Sequence, residues 1–442
     1  MIPLLFFIGM LAVLWATGFS LSRLMLPHSS KLISASLALP FAGIANVMIV
    51  LFLDLLSIPL SPVAILLSLM IICIAAHIGA ARSVTVEDDH VVQAYPMNVT
   101  FRILCAFILA SALIYGFSHA VLLPTFHYDS ATNWNMRSKI GFLEKRLPFD
   151  DAGGLIRKPH YPPLYHALQI TAMQGQNDWR EPIANGTHFL LTLSAFTAVY
   201  LIIRKLRGGN TALLTVALII GIPLLTLHTG QSYADLTLVQ TALLSLVFFL
   251  WWIESGTTRY LLLSSIFVGG CVLTKSEGIP FCFLPWTVMT LLQVRKQRLA
   301  LVTVLRMLAP AALLSLLWIS TVALKDVPLS PHGASDVLFG WNKGALSAIA
   351  QSLFSEGSFG VTWCAILLLL PFTMGTSNTL RVGLVWGAAA SLGYVALYAF
   401  TDNAVYLLSG QSFDRQMLLP ASLFILSIGL SLSNLVNPGN GN

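Results

Sequence analysis

Apolar runs recur from one end of the chain to the other, at 2–20, 32–57, 61–80, 103–124, 186–204, 211–228, 234–253, 260–275, 278–294, 301–324, 360–375, 382–400 and 416–434. Crossing the hydrocarbon of a bilayer takes about 20 mostly apolar residues, so this pattern predicts an all-α integral membrane protein with about 13 transmembrane helices. Two polar stretches are longer than a tight connection, 125–181 and 325–359. Within the first, Met136, Ile140, Leu143 and Leu147 recur at helical spacing, while Asn133, Arg137, Lys139, Glu144 and Lys145 fall mostly on other faces. That predicts an amphipathic helix lying in the membrane interface, with Trp134 and the basic residues near headgroups. DDAGGL at 150–155 breaks it, and RKPHYPPLYHALQ at 157–169 predicts a turn into a second helix that begins near Pro163.

Composition supports the same class. Of 442 residues, 56% are hydrophobic and only 10% charged, where a soluble domain carries about a quarter charged residues. The formal charge is +6, but the basic residues sit in short connections, so the excess reads as topology and excludes a nucleic-acid surface. Arg23, Lys31, Arg82, Arg102, RKLR at 204–207, Arg259, RKQR at 295–298 and Arg381 fall on one side if the N-terminus lies outside. The first run has no basic residues before it and is expected to be a retained span. The opposite, outer side then receives 125–181, HTGQSYAD ending at Asp235, TKSEG at 274–278, 325–359 and TDNAVYLLSGQSFDR at 401–415. Cys73, Cys105, Cys271, Cys282 and Cys364 lie in or beside apolar runs without metal spacing, and are expected as packed thiols.

Each polar site on that outer side has a structural reading beside a chemical one. Asp129 stands where an apolar run has ended and the interfacial helix begins, the place of an N-cap; placement alone favours the cap, although a general base would stand there too. Asp235, with Ser232 three residues before it, suits an approximate capping box. Lys275 and Glu277 share a tight turn between apolar helices, where ionisable groups must pair or line a watery cavity. Asp414 can cap the last helix, and Arg415 can snorkel to headgroups or clamp an anion bidentately. Lys158 and His160 can offer charge and hydrogen bonds to a phosphate or sugar. Asn98-Val-Thr and Asn185-Gly-Thr match the glycosylation triplet, and Asp88, Asp89 and His90 could hold a metal, but both signals are weak.

The order HYDSATNW, HYPPLYHAL, SYADLTL, LTKSEG and DRQMLLP resembles the polytopic GT-C superfamily of glycosyltransferases, which includes protein mannosyltransferases and lipid A aminoarabinose transferases. The resemblance runs over roughly residues 100 to 425 and rests on order, spacing and sidedness, since no single motif is specific. Ser232 stands where the family usually has glycine and Ser276 where it often has asparagine. The resemblance implies a bacterial inner-membrane enzyme that moves a sugar from a polyprenyl-phosphate donor to a glycan, lipid or protein acceptor at the outer face, without a cofactor. It implies catalytic roles for Asp129, Asp235 and Glu277, and donor-phosphate binding by Lys275, Arg415, Lys158 and His160. His127, Trp134, Tyr161 and Tyr233 are the corresponding expectations for acceptor or sugar. The rival expectations are a flippase of a lipid-linked saccharide and a noncatalytic lipid-binding protein of envelope assembly.

Overall fold

In the computed structural model, the described residues are 2–82, 98–150, 152–156, 158–327, 339–374, 379–410 and 412–432. Asp88, Asp89, His90, Arg157 and part of the 325–359 stretch therefore lie outside the described residues. Every predicted apolar run is helical, and among the described residues the single extended pairing is an isolated bridge between Phe339 and Thr401. Among the described residues, nine helices are long and apolar enough to cross a membrane, or ten if the pair Gly209–Ile220 and Pro223–Thr229, bent by 85°, is one span. The count is lower than the 13 or so expected from length, because several runs are short or broken. Gly221 and Pro223 end one helix and start the next; Thr258–Thr274 and Thr362–Met374 are too short to count.

Burial separates the helices into a centre and a lipid-facing shell. In the most apolar stretch of Ala234–Ser255, 94% of residues are buried, against 17% for both Pro62–Ala81 and Val99–Leu122. An apolar helix buried all round is a core helix, while one exposed all round must be bathed in lipid. Ala234–Ser255 packs on Glu181–Arg207, Thr258–Thr274 and Phe413–Ser431. The N-terminal ends of Ala234–Ser255 and Phe413–Ser431 thus lie beside the C-terminal end of Thr258–Thr274. At the far ends of these helices stand the basic residues, where Arg207 pairs with Glu254.

The stretch 125–181 does not lie as an interfacial raft. A π-helical turn, Ser130–Asn135, runs into Met136–Glu144, which packs on a second helix, Leu164–Met173. Trp134 and Arg137 are not headgroup anchors: they are 3% and 2% exposed, while Lys139 faces outward. The apolar period identified a buried face correctly at Ile140 and Leu147, but the tertiary partner claims Arg137 as well and leaves Leu143 exposed. Asp54, at the end of Ala38–Leu55, fixes the far side of this stretch by accepting the Leu147 N–H at 2.8 Å and pairing with Lys325 at 2.8 Å.

Candidate active site

Two ion-pair groups meet at one end of the central helices. The first is built by the turn after Thr258–Thr274. A Cβ on Gly278 would stand 2.3 Å from the Cys271 carbonyl oxygen, so only glycine lets the chain fold back so closely. That turn aims Lys275 at the first turn of Ala234–Ser255, and its Nζ lies 2.9 Å from Asp235 Oδ1 and 3.1 Å from Glu277 Oε1. All are largely shielded, with 5%, 5% and 13% of their side chains exposed. Burial acts to lower the Lys275 ammonium, but Asp235 and Glu277 outweigh it and hold Lys275 above its ordinary value. The Gln416 side-chain amide donates to the same Glu277 oxygen at 3.2 Å, bringing in the last helix.

The second group joins that helix to the 125–135 segment. Arg415 Nη1 lies 2.7 Å from Asp129 Oδ2, and the Asn133 amide donates to Asp129 Oδ1 at 2.8 Å. Asp129 stands at the N-cap position of its π-helical turn, yet its carboxylate makes no cap bond. π-helical turns are often found at functional sites, and here the wide turn begins directly after Asp129. Arg415 does not snorkel: its guanidinium lies 5.1 Å from the centre of the Tyr233 ring. Asp414 receives the Ser358 hydroxyl at 3.1 Å and its neighbour's N–H at 2.7 Å. The Ser232–Asp235 capping box is not formed either; the Ser232 N–H donates to Ser130 Oγ at 2.8 Å and its hydroxyl donates to Asn185.

Tyrosines seat the cations. Lys158 donates to the Tyr161 hydroxyl at 3.2 Å, and the Nζ atoms of Lys158 and Lys275 lie 5.3 and 5.6 Å from the Tyr161 ring centre. The Tyr161 hydroxyl holds the Lys158 ammonium above its ordinary value, against burial and against repulsion from Lys275 and Arg415. Tyr161 is backed by Trp134 in a stacked contact at 5.3 Å, with buried His160 edge-on at 4.8 Å. Tyr233 is stacked on His228 at 4.4 Å and meets His127 at 6.0 Å. Burial, partly offset by Arg415, pushes the Tyr233 hydroxyl up to about 12, whereas burial and then Arg415 hold the His127 imidazole below its ordinary value. Among the described residues no group of three or more His, Cys, Asp or Glu side chains is placed to hold a metal ion.

The fold is shared with solved structures. The structure of ArnT from Cupriavidus metallidurans in the apo state matches with a TM-score of 0.54 at 14% identity, over 75% of this chain and 60% of that one. The two chains share that fold. The same ArnT bound to undecaprenyl phosphate matches with a TM-score of 0.52 at 15% identity, over 76% of this chain and 60% of that one. The present chain therefore spans about 60% of the length of the structure it matches. Residues 161–324 match the family model for dolichyl-phosphate-mannose-protein mannosyltransferase, a stretch that includes Tyr161, Tyr233, Asp235, Lys275 and Glu277. No curated protein matches the chain in sequence.

Within this fold, the residues singled out from sequence are brought together in three dimensions: Asp129 with Arg415, Asp235 and Glu277 with Lys275, and Lys158 with Tyr161. Trp134 and His160 lie behind Tyr161 in the packed layer. Sequence reasoning missed Arg137. Its guanidinium donates to the carbonyl oxygens of Pro148, Lys158 and Tyr161 at 3.2, 3.5 and 2.6 Å, clamping the loop that carries Lys158 and Tyr161. Burial pulls Arg137 down to about 9. Also missed is a buried chain of amides and hydroxyls: Gln169 donates to Asn135 and Ser232 at 2.9 and 3.3 Å, and Asn185 and Asn135 both donate to Thr125, at 3.0 and 3.3 Å. Asn185 is thus a buried strut, inaccessible for glycosylation despite its triplet. The only signal for these residues was polarity inside apolar surroundings.

Proposed function

We propose that the protein is a bacterial inner-membrane glycosyltransferase that moves a sugar from a polyprenyl-phosphate donor to an acceptor at the outer face, with inversion. The observation that carries this reading is the pairing of cations with carboxylates at one end of the central helices. A lipid-linked sugar has a tail that needs the bilayer and a reactive carbon at its edge. Lys158, Lys275 and Arg415 would receive the phosphate, which would compete with the carboxylates for these cations and be stabilised by them as it leaves. Asp129 would take the proton of the acceptor hydroxyl as that oxygen attacks the anomeric carbon; the bond from that carbon to the phosphate oxygen breaks, and the phosphate departs with the electron pair.

Differences in exposure support a division of these proposed roles. Asp129 is the most accessible carboxylate of the cluster's ion pairs, with 27% of its side chain exposed, so it suits proton transfer. Asp235 and Glu277 are committed to Lys275 and suit positioning. The basic far ends of the helices support a cytoplasmic placement there, which leaves the cluster facing outward. Detergent-purified protein given an undecaprenyl-phosphate sugar and a lipid acceptor should release undecaprenyl phosphate. Flux of labelled donor across proteoliposomes without bond cleavage would instead establish a flippase.

A further inference from the structure

The turn leading into Ala234–Ser255 gathers buried polar atoms that the described residues do not satisfy. His228 is 1% exposed and Gln231 5%. Among the described residues, His228 Nδ1 and both ends of the Gln231 amide lack a hydrogen-bond partner, as do Asp235 Oδ2 and His127 Nε2. A buried polar group left unpaired is destabilising, so several around one turn require a reason. Tyr233 places them together: it stacks on His228, meets His127 and carries the Arg415 guanidinium. The turn is fixed in place, since a Cβ on Gly230 would stand 2.5 Å from His119 Cβ.

From this cluster we infer that His127, His228 and Gln231 form a subsite that reads the hydroxyl groups of a neutral sugar. The inference rests on the proposed transfer reaction and names its sugar-recognising side chains. The Gln231 amide leaves one donor and one acceptor group open, and each imidazole nitrogen offers a donor or an acceptor according to tautomer. Vicinal hydroxyls, which donate and accept, answer both ends of the amide at once. An ammonium group only donates and would leave the amide N–H groups unpaired; a carboxylate would leave the amide oxygen so. The position beside Arg415 and Asp129 is where the sugar–phosphate bond must lie for the reaction proposed above.

Binding to purified protein separates the subsite from the chemistry. The probes are undecaprenyl phosphate alone, the same lipid carrying a neutral hexose, and the same lipid carrying an aminopentose. The hexose should tighten binding by about 10-fold or more over the bare lipid, the effect of one or two hydrogen bonds. Gln231→Met should lose that gain, keep its affinity for the bare lipid, and be at least as heat-stable without lipid, because a buried unpaired amide has been removed. His127→Phe, at a half-buried position, should lose part of the same gain. The inference is overturned if the hexose adds nothing in the wild type, if only the aminopentose does, or if Gln231→Met weakens the bare lipid equally. Sugar-dependent affinity through Gln231 without bond cleavage would leave the subsite standing and remove the transferase reading. Turnover with sugar-independent affinity would do the reverse.

Discussion

The Lys275 and Arg415 groups contain the same chemistry, a cation against carboxylate, in different solvent. Lys275 is shared by two carboxylates with only 5% of its side chain exposed. Arg415 and Asp129 keep 16% and 27% of theirs exposed. Removing one member of a buried pair leaves an uncompensated charge, and the more water reaches a pair the better it is screened and the more easily it is parted. Under the proposed reaction, the difference would make the Lys275 group the more rigid part of the site and the Arg415–Asp129 pair the part that separates more readily for ligand.

Lys275→Met is the most severe way to test that contrast. It should remove transfer activity by about 1,000-fold or more, by analogy with loss of a transition-state charge stabiliser, and cost about 3–5 kcal/mol of stability through the stranded carboxylates. A variant of normal thermal stability would place Lys275 outside the framework. Asp129→Asn should fold normally and lower kcat by about 100-fold or more, the usual contribution of general-base catalysis. Unchanged turnover would remove Asp129 as the base. Arg137→Met, acting through the Lys158–Tyr161 loop, should raise KM for the lipid donor about 10-fold, the cost of misplacing one charge-assisted contact, with kcat little changed. A fall in kcat alone would show that Arg137 acts elsewhere.

The smallest effect is on pH. Burial, then Arg137 and His188, hold His166 well below its ordinary value, and His127 is lowered as well. Such groups bind fewer protons folded than unfolded, so their contribution is fully present above the unfolded pKa of about 6.5 and is lost as pH falls below it. The melting temperature should decline on acidification from neutral pH, and His166→Asn should flatten that slope. Identical slopes for the two proteins would exclude His166 as a source of acid sensitivity.

Much of the architecture was legible because lipid imposes one rule: a backbone in hydrocarbon must bond to itself, so a long apolar run is a helix. The number of spans was less legible, since Thr258–Thr274 is apolar and yet too short to cross alone. In HYDSATNWNMRSK, Asp129 could be chosen from its position, but its partner Arg415 lies far along the chain. Arg137 was assigned to the wrong environment because a periodic pattern says which residues share a face, not which neighbour will cover it. Gln231 and His228 stood out only as members of the polar stretch HTGQSYAD, because an unpaired buried atom is defined by its surroundings.

The sequence by itself determined a multi-pass helical membrane protein, the polar stretches between its helices, and the carboxylates and cations able to do chemistry. Local physics suffices for these, since hydrophobic length and helix-end preferences act within a few turns. Only the tertiary structure decided that Asp129 meets Arg415 rather than capping a helix, and that Lys275 joins Asp235 to Glu277. Such pairings depend on which helix ends come to lie side by side, and in low dielectric the nearest opposite charge takes precedence over a local cap.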